Sequence, residues 1–243
     1  LNDFKKIDYV IHLASMTNAA GSFNKKKEMY RNNLTCMKNI INFCIKKKSK
    51  LIHISSTSVY GKQTNLVDET CEKKYLKPQS PYADIKLMEE KMLIQAKNKL
   101  KYITYRFGTI SGTSKGMRFH TAVNKFCLNA ALNEPITVYK TALNQFRPYL
   151  ALTDAFLLFK FTIENNFFKN DIYNALSENY TVNQILQKIK RYKKKISIKF
   201  VSSPIMNQLS YHVDKKKINK EGFFFRNKIE TDIKNTLNLL KNI

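Results

Sequence analysis

Two segments, KLIHISSTSVYG at residues 50–61 and SPYADIK at residues 80–86, decide which fold and chemistry this sequence predicts. The first is apolar up to a run of hydroxyl side chains at residues 55–58, which is typical of a buried strand that ends at that run. In the second, Tyr82 and Lys86 lie four residues apart, so a helix places phenol and ammonium on one face, about 5–6 Å apart at their Cβ atoms. A hydroxyl at a strand end, a tyrosine and a lysine together predict a proton-transfer site for an alcohol.

The lysine gives the tyrosine its predicted role as a base. A free tyrosine has a pKa of about 10 and is a poor base at neutral pH. An ammonium about 5 Å away, at an effective dielectric constant of about 20, favours the phenolate by about 3 kcal/mol, or roughly two pKa units. We therefore expect Lys86 to lower the pKa of Tyr82 into the range of a general base.

These motifs carry a family resemblance. A serine or threonine shortly before Val-Tyr-Gly at 59–61, followed by Tyr-x-x-x-Lys at 82–86, resembles the extended short-chain dehydrogenase/reductases, the branch of NAD-dependent nucleotide-sugar epimerases and dehydratases. Tyr-x-x-x-Lys alone is a weak signal in a chain so rich in both residues, whereas the whole arrangement is specific. The resemblance implies that Ser56, Tyr82 and Lys86 are catalytic.

The resemblance also implies a cofactor, NAD, with NADP left open. The family holds its cofactor at the carboxyl ends of the sheet strands and with the catalytic pair. The matching positions here are Leu13, Ala14, Ser15, Asn33, Ser55, Tyr82, Lys86 and Phe107.

A nucleotide sugar is the implied substrate. Its sugar pocket and diphosphate site match Thr17, Asn18, Ser22, Thr57, Arg118, Arg147 and Tyr149. Arg147 and Tyr149 fit an R-x-Y element that grips the diphosphate, and Arg118 is expected on the helix that begins near the phosphates. Arginine suits this task because its planar fork makes paired, charge-assisted bonds to phosphate oxygens.

The residues after Ser56 bear on the reaction. The family oxidises a sugar carbinol to a keto-sugar, which is then epimerised or dehydrated, and its 4,6-dehydratases carry Asp-Glu directly after the catalytic Thr. Thr57 and Ser58 stand at those positions and cannot act as carboxylic acids, while Asp68 and Glu69 are expected to be solvated loop residues. An epimerase is therefore favoured. A non-catalytic member that binds a sugar nucleotide or a partner chain is the alternative, and a dehydratase or reductase comes third.

Strand and helix patterns alternate in the first half, which favours an open, Rossmann-like parallel α/β sheet flanked by helices. We expect residues 1–112 to be the C-terminal portion of a NAD-binding domain. Residues 113–243 are expected to form mainly a smaller α/β substrate-binding lobe, with strands returning to the sheet near residues 147–152.

Glycine is scarce in this chain. Its six glycines include no G-x-x-G-x-x-G or G-x-G-x-x-G fingerprint, which such enzymes carry on the first strand-to-helix turn. We therefore expect the sequence to be a truncated one that begins inside the fold, after this turn, and whether it is active or inactive in that form is left open.

Composition limits the other classes. The net charge of +25 comes mostly from dispersed lysine, with six arginines, so specific nucleic-acid binding is not favoured. No apolar run approaches the ~20 residues of a membrane span, and the four cysteines lack a C-x-x-C pair, which favours a cytoplasmic protein. The four histidines have no metal-ligand spacing. The resemblance implies a homodimer that packs the helices beginning near Asn24 and Pro81.

Overall fold

A parallel sheet organises the first half of the chain. The structure is a computed structural model that describes residues 6–17, 23–63, 66–202 and 210–241. The sheet has four strands, in the order β1, β2, β4, β8. Their bounds are β1 (Tyr9–His12), β2 (Lys50–Ser56), β4 (Tyr102–Phe107) and β8 (Ile172–Ala175). All neighbouring pairs in it are parallel, so the carboxyl ends of these strands share one edge.

Helices cover both faces of this sheet, because its strands are apolar on both sides. On one face α1 (Lys26–Lys47) and α2 (Pro81–Ala96) pack together over Leu51 and Tyr102. On the other face α4 (Leu152–Glu164) packs in a cluster with Ile103. The predicted Rossmann-like architecture is confirmed for this part of the chain.

The start of α2 is well defined by local chemistry. Ser80 is the N-cap, with its side-chain oxygen accepting the backbone N–H of Ala83 at 3.2 Å, and Pro81 begins the helix. Tyr82 therefore lies in a capped first turn, and Lys86 lies one turn later on the same helix.

A second lobe is built around its own core. Its three-stranded sheet consists of β5 (Thr109–Ser111), β7 (Phe146–Ala151) and β9 (Glu178–Thr181). Short two-stranded pairs are formed by β6 (Ile136–Tyr139) with β10 (Ile198–Val201), and by β3 (Leu66–Val67) with β11 (His212–Val213). The remaining helices are α3 (Ala122–Ala131), α5 (Val182–Tyr192), α6 (Lys216–Lys220) and α7 (Ile229–Leu239).

One topological prediction needs correction. The strand near residues 147–152 does not join the main sheet, because β7 pairs with β5 and β9 instead, and the later strand β8 returns to the main sheet. The side chains of β7 explain the error: Tyr149 and Ala151 face the second core while Leu150 faces the first. A strand between two cores has the same apolar pattern as a central strand of a parallel sheet.

Candidate active site

The predicted catalytic residues come together at the carboxyl end of β2. Ser56 ends that strand and caps a short 3-10 helix, with its side-chain oxygen accepting the N–H of Ser58 at 3.2 Å. Lys86 is only 3% exposed, and its Nζ lies 5.8 Å from the centre of the Tyr82 ring. A side-chain hydrogen bond to Ser56 is among the influences on the Tyr82 hydroxyl. Phenol, ammonium and serine hydroxyl thus meet as the spacing predicted.

The predicted lowering of the Tyr82 pKa is not met. Burial raises the pKa of Tyr82 above its ordinary value, and this effect exceeds the lowering caused by Lys86 and by the Ser56 hydrogen bond. The nearby carboxylate of Glu89 raises the pKa further. A calculation with one ammonium and no desolvation missed both effects, since neither is visible in the Tyr-x-x-x-Lys spacing.

Lys86 has buried partners that the sequence analysis overlooked. Its Nζ donates to Glu89 Oε2 at 2.7 Å, and the same oxygen lies 3.0 Å from Nε2 of His53. Glu89 follows Lys86 by three residues, a spacing that puts the two side chains on one helix face. That spacing was a usable signal, whereas His53 was visible only as a polar residue inside an apolar strand.

The hydroxyls next to Ser56 have other partners. Ser55 donates to Glu90 Oε1 at 2.6 Å, and Glu90 also forms a buried ion pair with Arg106 at 2.7 Å. Thr57 donates to the backbone carbonyl of Phe107 at 3.1 Å. These bonds fasten β2 to α2 and to β4, so the predicted ligand contacts of Ser55, Thr57 and Phe107 stay predictions.

The loop after β1 holds three residues whose cofactor contacts stay predictions. Leu13 is 63% exposed and Ala14 is exposed as well, while Ser15 has a buried hydroxyl without a partner among the described residues. Asn33 on α1 is buried, and its side chain bonds both the N–H and the carbonyl of Met16, at 2.9 and 3.1 Å. Asn33 therefore holds this loop in place.

Two residues predicted to contact the substrate meet across the chain. The Arg118 guanidinium donates to the hydroxyl of Thr17. Arg118 lies in the segment before α3 rather than on a helix, because that helix begins only at Ala122. Asn18 and Ser22 lie outside the described residues.

Arg147 on β7 has spare hydrogen-bonding capacity. Its Nη1 is buried without a partner among the described residues, while its Nη2 donates to Gln145 at 3.2 Å. Its guanidinium carbon lies 5.8 Å from the ring centre of Tyr211, a residue that no motif or spacing pointed to. Burial lowers the pKa of Arg147 and raises that of Tyr211. Tyr149 is 1% exposed and packs in the second core, so its predicted role stays a prediction.

The tyrosine and glycine of the Val-Tyr-Gly motif have structural roles. Tyr60 donates to Asn174 at 2.9 Å, and the Arg106 guanidinium lies 4.9 Å from its ring centre. Gly61 has a φ of +63°, and an added Cβ would lie 1.9 Å from the carbonyl oxygen of Lys77. Only glycine fits this turn without strain.

One of the two loop acids is placed differently from the prediction. Glu69 is partly buried and accepts the backbone N–H of Asn174 on β8, and burial raises its pKa. Asp68 accepts from the N–H and hydroxyl of Thr70 within its own loop. Glu69 thus fastens the loop to the sheet edge instead of lying in solvent. Its carboxylate accepts a backbone N–H of the edge strand β8, as a neighbouring strand would do.

Comparison with known proteins identifies the family. The model described as "NAD dependent epimerase/dehydratase family" matches residues 1–175, which is most of the chain. This chain belongs to the NAD-dependent epimerase/dehydratase family, and the resemblance carried by the motifs is confirmed.

Individual relatives are distant. The chain is 24% identical over 229 residues to ADP-L-glycero-D-manno-heptose-6-epimerase of Brachyspira hyodysenteriae, covering 90% of this chain and 70% of the relative. It is 26% identical over 247 residues to a trifunctional UDP-glucose 4,6-dehydratase/3,5-epimerase/reductase of Arabidopsis thaliana, covering 96% of this chain and 36% of that protein. Relatives named for epimerisation and relatives named for dehydration therefore both resemble this chain.

Solved structures share the fold. The UDP-glucose 4-epimerase of Thermus thermophilus, solved with NAD, superposes with a TM-score of 0.86 at 19% identity, over 99% of this chain and 79% of that one.

Within the ranges described above, no helix is long and apolar enough to cross a membrane, and no group of three or more His, Cys, Asp or Glu side chains could hold a metal ion.

Proposed function

We propose that this protein is a nucleotide-sugar epimerase that works through a keto-sugar. The convergence of Tyr82, Lys86 and Ser56 at one end of a parallel sheet carries the proposal, since these three groups can hold an alcohol oxygen and remove its proton. Tyr82 accepts the proton of the sugar hydroxyl, Ser56 hydrogen-bonds the same oxygen, and Lys86 steadies the phenolate.

The residues around this site fit a nicotinamide cofactor. The exposed Leu13 and Ala14 offer an apolar face. The buried hydroxyl of Ser15 has no hydrogen-bond partner among the described residues. Lys86 gives one of its three N–H donors to Glu89, which leaves two for a ribose. When bound, NAD supplies the hydride acceptor for the carbinol carbon and returns the hydride to the ketone. In this proposal residues 1–112 contribute the cofactor side and residues 113–243 mainly the substrate side.

Arg147 and Arg118 are the proposed anchors for the diphosphate. Arg147 carries a buried N–H without a described partner, and a buried donor of this kind favours an anion that would satisfy it. Arg118 is already held beside the loop after β1 through Thr17. The two arginines thus come from different segments of residues 113–243.

The polar residues near Ser56 favour epimerisation over dehydration. Loss of water from a keto-sugar needs an acid and a base near the sugar. Thr57 is bound to a backbone carbonyl, Ser58 is a hydroxyl, and Glu69 is held by the backbone of β8. None of the three offers a free carboxylic acid beside Tyr82.

Product analysis tests the proposal. The full-length protein is incubated with NAD and, in separate reactions, UDP-glucose, UDP-N-acetylglucosamine, an ADP-heptose and GDP-mannose, and products are followed by NMR and mass spectrometry. We expect one of these sugars to give a product of unchanged mass with one inverted stereocentre. A product that has lost water and retains a ketone would contradict the choice of reaction. Tight binding of a sugar nucleotide without conversion would favour a non-catalytic member.

A homodimer in the cytoplasm is part of the same proposal. Met88 and Ile94 on α2 are 39% and 37% exposed, which supports a partner against that helix. All four cysteines are free thiols, which suits a reducing compartment. Light scattering coupled to gel filtration should give twice the monomer mass, and charged substitutions at both apolar positions should give the monomer.

A further inference from the structure

Behind the catalytic lysine lies a buried carboxylate. Glu89 is fully buried, and its Oε2 accepts from Lys86 Nζ at 2.7 Å and lies 3.0 Å from His53 Nε2. Its Oε1 is buried without a partner in the part of the chain that the structure describes. A buried carboxylate is costly unless it is paired, so the position of Glu89 depends on these two neighbours.

The protonation states of this cluster follow from its contacts. Burial lowers the pKa of His53. Burial and the neighbouring His53 together lower the pKa of His12 to about 4. Both rings are therefore neutral at pH 7. A carboxylate can only accept, so the Nε2 of His53 carries the proton and its Nδ1 accepts from the Thr104 hydroxyl at 3.3 Å. Burial would raise the pKa of Glu89, but the hydrogen bond from His53 and the charge of Lys86 lower it, so Glu89 is an anion.

The anion faces Tyr82 together with the lysine. The charged and titratable groups around Glu89 come from three elements. They are Lys86, Glu90 and Tyr82 from α2, His53 from β2 and His12 from β1, and Tyr211 influences Tyr82 in turn. The Glu90 carboxylate is neutralised by Arg106 at 2.7 Å. Lys86 and Glu89 therefore present a nearly compensated pair to the phenol.

We propose that Glu89, oriented by His53, is a positioning residue that fixes Lys86 and offsets part of the lysine's charge, and thereby sets the pH range in which Tyr82 acts as a base. The role in catalysis rests on the proposed function. The charge relation itself belongs to the protein without substrate, so it can be measured even if no sugar is converted.

The test is a direct titration of Tyr82. Protein labelled with ¹³Cζ-tyrosine is titrated by NMR without cofactor or sugar, and the Tyr82→Phe variant assigns the Tyr82 signal. Glu89→Gln keeps the size and a hydrogen-bond acceptor but removes the charge. The Glu89 carboxylate bonds Lys86, whose Nζ lies 5.8 Å from the Tyr82 ring centre, and its charge raises the pKa of Tyr82. We therefore expect the measured pKa of Tyr82 to fall by about one in this variant.

A matched control and a second measurement keep the test decisive. Glu28→Gln removes the same charge from an exposed position on α1 and should leave the Tyr82 titration unchanged. An unchanged Tyr82 pKa in folded Glu89→Gln would overturn the proposal. If that variant does not fold, the wild-type titration decides: we expect Tyr82 to titrate above the ordinary range of a tyrosine, and a pKa near neutrality would overturn the proposal. With an active enzyme, Glu89→Gln should also move the rising limb of the pH-rate profile to lower pH.

Discussion

Tyr82 shows how several weak influences combine at one residue. Burial opposes its ionisation, Lys86 and Ser56 favour it, and Glu89 opposes it again. A tyrosine in this setting stays protonated at rest, which suits the half-reaction in which a ketone must be given a proton. To act as the base it must first ionise to the phenolate, which a positively charged cofactor bound beside the phenol would favour.

Replacing Tyr82 tests its catalytic role. Tyr82→Phe keeps the ring over which Lys86 lies and removes the hydroxyl, so we expect the rate of conversion to fall by about 10²–10⁴. Affinity for the sugar nucleotide, measured by calorimetry, should change little, because the proposed diphosphate anchors Arg118 and Arg147 are other residues. A variant with more than a tenth of wild-type activity would exclude Tyr82 as the base.

Arg147 is expected to act in binding rather than in chemistry. Arg147→Met keeps most of the volume but removes the guanidinium, and a charge-assisted hydrogen bond contributes about 1.5–3 kcal/mol, so KM should rise by roughly 10–100-fold. Arg147→Lys retains the positive charge but not the planar guanidinium, so its KM should lie between those of wild type and Arg147→Met. Equal KM values for wild type and Arg147→Met, measured at saturating NAD, would remove Arg147 from the site.

At the scale of elements, α2 carries most of the site. One helix supplies Tyr82, Lys86 and Glu89, and a second carboxylate, Glu90, which pairs with Arg106 and binds β2 through Ser55. The fixed 3.6-residue turn gives these side chains their mutual positions. The site therefore depends on where α2 starts.

The N-cap of α2 should contribute measurable stability. Ser80→Ala removes the bond to the Ala83 N–H, and we expect a loss of about 1 kcal/mol in the free energy of unfolding by urea. Thr121→Ala is the matched control, because Thr121 caps α3 without a side-chain hydrogen bond and should cost clearly less. Equal losses in the two variants would contradict a capping role for Ser80.

At the scale of the whole molecule, two cores share the strand β7, and buried acids fasten the second lobe. Asp232 on α7 accepts from Ser111 on β5 at 2.5 Å. Burial raises the pKa of Asp232 from 3.8 to about 6, with further contributions from Asp154 and Glu178. The neutral form of Asp232 is therefore the form that the fold prefers.

The pH dependence of stability follows from this raised pKa. Because the folded-state pKa lies above the unfolded value, the folded protein binds more protons between about pH 4 and pH 6, and stability from this group is lost as the pH rises through that window. Asp232→Asn keeps an acceptor for Ser111 without the charge. We expect it to be more stable than wild type at pH 7, by up to about 3 kcal/mol, and equally stable near pH 4.

Urea unfolding at pH 4, 5, 6 and 7 measures this difference. Asp8→Asn removes a carboxylate whose side chain is 65% exposed and should not change the pH profile relative to wild type. If Asp232→Asn is no more stable than wild type at pH 7, Asp232 is ionised in the fold without penalty and the linkage is wrong.

The parts of this structure that the sequence predicted rest on local patterns. The strand that ends at the hydroxyl run and the meeting of Tyr82 with Lys86 follow from apolar periodicity and helical spacing. The capped start of α2 at Ser80 is equally local. The capped start of α5 at Thr181, with its reciprocal bonds to Gln184, depends on the same local chemistry.

Long-range contacts account for what the sequence did not predict. His53 meets Glu89 across 36 residues, and Tyr60 meets Asn174 across 114. Arg147 on β7 lies against Tyr211, the residue just before β11. No periodicity or motif records which distant side chains share a buried space. For the same reason, β7 was assigned to the wrong sheet.

The sequence by itself determined the family, the parallel sheet and the placing of Tyr82 and Lys86 on one helix face, because motif residues, apolar periodicity and a four-residue helical spacing are all local features. Tertiary structure alone decided the electrostatic state of the tyrosine. That state depends on desolvation and on a buried histidine–carboxylate pair, which arise only when β2 and α2 pack together.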